Sequence, residues 1–358
     1  MNNNQNRQGP FPKMHMVRYI VPLIIIVLAI VFFLPKITAL GNYVLVIKEM
    51  SKIIVFLAVV AKVCSFLGNG YLLKELVKFE NAHISIWRGS LIINSAASVG
   101  LVAGGWLSAA AATYFWVAKN NDVTEGAVLA GVMPQALNNI LLTLLSAIGM
   151  IYLLINHQQL SNAQIIIYSV IFFLVGFSVF LIFFGIKHEK KVIKIVLKIA
   201  AFIMHLLRRQ YDEQKIKNVA SNILSNLRLL SNRGWIRPTI GAALYVGFDI
   251  LILYLFFLAA DYPVKLGVMI SGYGLALLLG RGAFFLPGGI GLVESSMIAI
   301  YSTLGVPGSV SIAVVLAYRL FSFWIPSILG FPTIALLRRG SYKKQSQVKN
   351  SDVSPEGE

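Results

Sequence analysis

Phe285-Leu286-Pro287-Gly288-Gly289-Ile290-Gly291-Leu292-Val293-Glu294-Ser295-Ser296 sets a proline, three glycines and an acid between apolar runs long enough to span a bilayer. Proline and paired glycines break a helix, and irregular backbone at membrane depth is tolerated only where protein or a water-filled cavity satisfies its polar groups. The stretch therefore implies a buried cavity. Pro287 suits the first position of a new helix, where its missing N–H is no loss, and the amides of Gly288, Gly289 and Ile290 would then be uncapped donors. Such a helix start attracts anions. A tight interhelical turn, with glycines for close packing, is the plainer alternative.

Composition sets this stretch in a membrane. The chain has 358 residues, 57% of them hydrophobic, with a mean hydropathy of +0.76. It is too apolar for a soluble protein and shows the repeated long apolar runs of a polytopic membrane protein. Cys64 is the single cysteine, so no intrachain disulfide forms and the thiol reads as a packing residue. The net charge of +17 is unevenly spread. Between Lys187 and Arg237 twelve Lys or Arg face only Glu189, Asp212 and Glu213. A basic loop beside apolar spans is the positive-inside signal and an attractor of anionic headgroups. Nucleic acid is excluded as a partner for want of any recognition motif.

Taken in order, residues 1–16 form a polar cytoplasmic N-terminus with Arg7 and Lys13, and Val17–Leu34 is an uncleaved first span. A second span runs from about Ile53 to Leu73 and ends at the cytoplasmic Lys74, Lys78 and Arg88. The roughly thirty residues from Arg88 to Lys119 make about 45 Å of helix, too little for two crossings of a roughly 30 Å core. They predict a re-entrant hairpin turning at Ala103-Gly104-Gly105. Gly126–Ile155, interrupted by Pro134, crosses outward, Asn156–Asn162 is external, and Ile165–Ile186 returns to the basic loop 187–237. Lys191, Lys194, Lys198, His205 and Arg208 share one face of that loop, opposite Val192, Ile195, Ile199, Phe202 and Leu206; Ile216, Val219, Ile223, Leu227 and Leu230 form a second apolar stripe. Both read as helices in the headgroup plane, or as amphipathic helices packed on the spans.

Pro238–Ala260 goes out again, Tyr262–Pro307 forms a second hairpin turning at Pro287-Gly288-Gly289, and Val310–Leu337 ends at the cytoplasmic Arg338, Arg339, Lys343 and Lys344. Residues 340–358 read as a disordered cytoplasmic tail. The expected fold is thus all-α, a polytopic membrane protein of about six full spans plus two Gly-Gly-broken re-entrant hairpins, eight or more membrane helices in all. The domain covers residues 17–339. Repeat one (17–155) and repeat two (164–339) follow the same order of elements from opposite sides. That order is an inverted repeat of the kind secondary transporters use.

Lys62, Asp249, Arg281, Glu294 and Arg319 all lie inside apolar segments, where an unpaired charge facing lipid is strongly unfavourable. Asp249, Arg281, Glu294 and Arg319 belong to the second half and can offset one another's desolvation by mutual pairing, whether as a lock between helices or as a site, with Glu294 and Arg319 the expected coupled pair. Lys62 reads as a side chain reaching for the interface. No catalytic arrangement stands out: His15, His83, His157, His188 and His205 have no metal-ligand spacing, and Gly272-Tyr273-Gly274 is too short for a dinucleotide loop. No metal and no cofactor are expected.

The stretch from Pro287 through Glu294 to Tyr318-Arg319 and Trp324-Ile325-Pro326 resembles the flippase-like transmembrane family found in lysylphosphatidylglycerol synthases. Family members often carry a proline or an acid in the first-half stretch, where this sequence has Ala103 and Ser108. The resemblance implies lipid translocation. In full-length synthases this module is joined to a soluble aminoacyl-transferase domain, and no segment of that kind is present in this sequence. A non-enzymatic translocase of the bacterial-type inner membrane is the expectation, both termini cytoplasmic. It would move an anionic or aminoacylated phospholipid such as lysylphosphatidylglycerol, or a polyprenyl-linked glycolipid. The expected substrate-binding residues are Pro287, Gly288, Gly289, Gly291, Glu294, Arg319, Arg281 and Asp249, with Gly104 and Gly105 in the first half. Anionic headgroups are the expected partners, and a separate lipid-modifying enzyme or a second copy of the chain is compatible with this reading. The alternatives are a membrane subunit of such an enzyme and a small-solute carrier.

Overall fold

Twenty-residue apolar runs in lipid can satisfy their backbone only within a helix, and among the described residues every regular element is helical. The computed structural model describes residues 50–79, 82–103, 105–121, 127–156, 188–206, 234–282 and 287–337, with isolated residues between 166 and 221. The helices are α1 (Lys52–Lys78), α2 (Ile86–Ala103), α3 (Trp106–Asn121), α4 (Ala127–Asn156), α5 (Glu189–Leu206), α6 (Ile236–Ala259), α7 (Leu266–Gly282), α8 (Leu292–Thr303) and α9 (Gly308–Leu337). Four of them, α1, α4, α6 and α9, contain stretches long and apolar enough to cross a membrane. The expected spans Val17–Leu34 and Ile165–Ile186, the stripe from Ile216 to Leu230 and the tail after Arg339 lie wholly or largely outside the described residues.

The two hairpins are α2–α3 and α7–α8. At 12 residues α8 is only about 18 Å long, well short of a roughly 30 Å core. α7 begins and α8 ends at the same end of the molecule. α6 stops in a Schellman turn with Asp261 at φ +51°, and α8 stops in another with Gly305 at φ +83°. The Tyr262 hydroxyl donates to the Gly305 carbonyl at 3.3 Å and so ties the two turns together.

Small residues set the helix spacing, as lipid-embedded helices require for close backbone approach. α1 and α6 run antiparallel along their full length: Gly68 backs onto Leu244 and Tyr245, Gly241 onto Leu72, and the Ser51 amide donates to the Ala259 carbonyl at the far end. α7 descends antiparallel to α4, with Gly267 against Tyr152, Gly274 against Ser146 and Arg281 bonded to Asn139. α9 lies antiparallel to α2 in the same manner, Gly330 against Asn94 and Ser98, and Ser98 Oγ donating to the Ser327 carbonyl at 2.8 Å. Large apolar side chains such as Ile53, Phe56, Leu144, Ile151, Ile328 and Leu329 remain exposed on the outside, as they would facing lipid tails. On α5, Lys190, Lys191, Lys194 and Lys198 are exposed, while Ile193 packs against the cluster around Leu72 and Leu129. Ile195, expected on the apolar face opposite the lysines, is exposed with Val196.

α9 is not straight. After Arg319 it widens into a π turn, Leu320–Trp324, in which the Ile325 amide donates to the Leu320 carbonyl five residues back. Pro326 supplies the cause: it has no N–H to give, and its ring would crowd the carbonyl of Ser322 in a regular helix.

Candidate functional site

The break at Pro287 forms a single 3-10 turn, Pro287–Gly289, followed by α8 from Leu292. Gly288, Gly289 and Gly291 have φ of +62°, +65° and +82°, conformations a β-carbon resists. Gly288 and Gly289 are also crowded, since a methyl group on Gly288 would strike the Phe323 ring and one on Gly289 would meet Gly280 and Val293. Tight glycine contact therefore holds the turn between α7 and the π turn of α9, and its far side touches α2.

Into this irregular backbone project two buried charges. Glu294 and Arg319 are 3% and 4% exposed, so neither can draw on bulk water. Arg319 Nε donates to Glu294 Oε1 at 2.7 Å, Arg319 Nη2 donates to the Gly288 carbonyl at 3.1 Å, and the guanidinium lies 4.3 Å from the Phe323 ring centre. Glu294 Oε2 accepts the Gly291 amide at 2.7 Å. The carboxylate thus bridges a guanidinium and a helix start, an arrangement in which an anion is stabilised by both the ion pair and the helix dipole. This corrects the reading of an uncapped helix beginning at Pro287. The α-helix begins five residues later, and its first turn already holds an anion, Glu294.

The other charged residues are arranged differently from the expected foursome in the second half. Asp249 pairs with a lysine of the first half, not with either arginine. Its Oδ1 accepts Lys62 Nζ at 3.0 Å, and its Oδ2 accepts the Tyr318 hydroxyl at 2.6 Å and the Tyr273 hydroxyl at 3.2 Å. Lys62 is 6% exposed and does not reach the interface: an ammonium with a carboxylate within reach across the α1–α6 contact gains more by pairing than by extending. Arg281 is exposed and donates to Asn139 Oδ1 of α4. Gly105 turns the first hairpin with φ +83°, its amide donating to the Gly100 carbonyl at 2.7 Å, while Gly104 lies outside the described residues. Pro287, Gly288, Gly289, Gly291, Glu294 and Arg319 are therefore brought together, while the side chains of Asp249 and Arg281 bond to other partners. The pattern of charges singled out Lys62, but its partner, and the roles of Tyr273, Tyr318, Asn139 and Phe323, were not readable from spacing alone.

Residues 19–330 match the family described as the lysylphosphatidylglycerol synthase transmembrane region. A UPF0104 membrane protein of Methanocaldococcus jannaschii is 27% identical over 238 residues, covering 65% of this chain and 69% of that protein. A UPF0104 membrane protein of Methanothermobacter thermautotrophicus is 30% identical over 148 residues, 38% of this chain and 43% of that relative, so less than half of its length is matched. The apolar helices, the broken backbone at Pro287 and the matched span agree: this chain is a membrane protein and belongs to the lysylphosphatidylglycerol synthase transmembrane-region family.

Proposed function

We propose that the chain moves a lipid with an anionic headgroup between leaflets, and that Arg319, with the amides at the start of α8, is where the phosphate binds. The observation that carries this reading is the seat taken by Glu294. A carboxylate held by a guanidinium on one side and a helix-start amide on the other marks a ready-made anion site. Glu294 occupies it in this state. A lipid phosphate would displace it, and the released carboxylate would be available to a cationic headgroup group such as the lysyl amine of an aminoacylated lipid.

The packing supports an inverted repeat as the machinery. α1 pairs with α6, α4 with α7, and α9 with α2, so each half's long last helix holds the first arm of the other half's hairpin. Tyr152 to Asn139 is the part of α4 that α7 follows, which leaves the first twelve residues of α4 beyond it and supports a hairpin that stops near mid-depth. Lys78 and Arg237 gather around Glu75 at the end of the α1–α6 pair, and the positive-inside rule makes that end cytoplasmic. The basic 187–237 loop and both termini fall on the same side in this reading.

Two experiments test it. In a Cys64→Ser background, Ser161→Cys should label from outside intact cells and Ser221→Cys should not; the reverse pattern overturns the topology and the repeat with it. In vesicles, the purified chain should speed the loss of protected fluorescent phosphatidylglycerol headgroups, while Glu294→Gln with Arg319→Gln should remain folded and lose that activity. A double variant that still moves lipid rejects Arg319 as the phosphate site.

A further inference from the structure

We propose that the Lys62–Asp249 pair is a proton-binding site that couples proton movement to translocation, an inference that rests on the translocase reading above. Four helices converge on one carboxylate: Lys62 comes from α1, Asp249 from α6, Tyr273 from α7 and Tyr318 from α9. Apolar packing commonly holds helices at least as well as a buried ion pair, so stability alone does not account for so much polar chemistry at one point in an apolar interior. An ionisable group inside a span is by default part of a substrate, ion or proton pathway.

Its position gives it leverage. The pair joins the first half of the chain to the second across the α1–α6 contact, where any rocking of one half on the other must pass. Tyr318 and Arg319 are consecutive. One residue of α9 is tied to Asp249 and the next to Glu294, directly before the π turn.

The step involves one proton and no other change in bonding. A proton arriving from one side of the membrane binds a carboxylate oxygen of Asp249, giving a neutral acid that no longer balances Lys62. The Lys62 contact and the two charge-assisted phenol bonds weaken together, α1 is released from α6, and Tyr318 is freed to shift, drawing Arg319 from Glu294. When the ion pair re-forms, the proton leaves toward the other side. The charged or titratable groups facing Asp249 are Lys62 on α1, Tyr273 on α7, Tyr318 on α9 and Tyr245 one turn back on α6 itself, while Arg281 on α7, bonded to Asn139, acts on it only through longer-range electrostatics. α4, also packed on α6, carries no Lys, Arg, Asp, Glu or His. Released from Asp249, the ammonium still faces the Phe66 ring, whose centre lies 5.0 Å away.

The test uses the full chain and two readouts. In vesicles containing fluorescent phosphatidylglycerol, an imposed pH gradient should change the wild-type translocation rate, approaching about tenfold per pH unit, the limit for one coupled proton. Lys62→Met with Asp249→Asn, which leaves no unpaired charge, should translocate without responding to the gradient; Asp249→Glu should keep the response. A wild type indifferent to the gradient, or a double variant that still responds, overturns the coupling. Separately, infrared difference spectra of purified protein between about pH 9 and about pH 4 should show a protonated-carboxyl band that Asp249→Asn removes. Identical bands in the two proteins overturn the proton site. A wild type that shows the band but moves no lipid leaves the site standing and removes the translocase reading instead.

Discussion

Gly105, at the tip of the first hairpin, and Gly288, at the tip of the second, both adopt positive φ, +83° and +62°. A methyl group on Gly105 would meet open space, whereas one on Gly288 would enter the Phe323 ring. The first tip leaves the space beside its glycine open. The second is a turn packed against a π-distorted helix, with a buried acid and a buried arginine in hydrogen-bond contact with its backbone. Two hairpins in corresponding positions of the chain thus need not share a task. Backbone breakage supplies the shape of a site, and the charges brought to it supply the chemistry.

The sharpest way to break this comparison is at the charges, which have no counterpart at the first tip. Arg319→Met leaves Glu294 buried without its cation and should lower stability by about 3 to 5 kcal/mol in detergent unfolding, with Glu294→Gln in the same background recovering most of it. A loss below about 1 kcal/mol for the single change would mean that water reaches the pair. Next comes Gly288→Ala, which combines left-handed strain with collision against Phe323 and should cost about 3 kcal/mol. Phe323→Ala should relieve the collision but not the strain, so the paired change should regain only part of the loss. The smallest effect belongs to Gly105→Ala, about 1 to 2 kcal/mol from strain alone, with translocation unchanged once the protein is folded. If Gly105→Ala and Gly288→Ala both abolish transport in the folded protein, the two tips act alike and the asymmetry between them is wrong.

Much of this was readable before any coordinates. The apolar runs, Gly104-Gly105 and Pro287-Gly288-Gly289 located the long helices and both breaks, because lipid leaves the backbone few alternatives. The five charges within apolar segments were the residues to watch, and each proved to have a polar partner. Glu294 and Arg319 are the pair the sequence led one to expect, but the partners of Lys62, Asp249 and Arg281 were not readable. Lys62 and Asp249 are 187 positions apart, and only the glycine-spaced approach of α1 to α6 brings them together. A lysine's long stem equally well fits extension to the interface, so residue type could not decide. The start of α8 was missed by five residues for a related reason. Proline favours a helix beginning, but three glycines with positive φ can continue a turn first, and the helix begins where Glu294 can cap it.

The π turn of α9 has a consequence for rotational phase. A helix advances about 100° per residue, so accommodating one extra residue between Leu320 and Trp324 turns everything after it by roughly that angle relative to an uninterrupted helix. Ser327, Gly330 and Thr333 face α2 only because of that offset. The segment before the turn is phased to serve Asp249 and Glu294, and the segment after it is phased to grip the first hairpin. Deleting Ser322 would remove the extra residue and give a regular helix with Gly330 still on α2, whereas closing the π turn with the residue count kept, which Pro326→Ala permits, would swing the Gly330 face about a quarter-turn away and uncouple the two jobs.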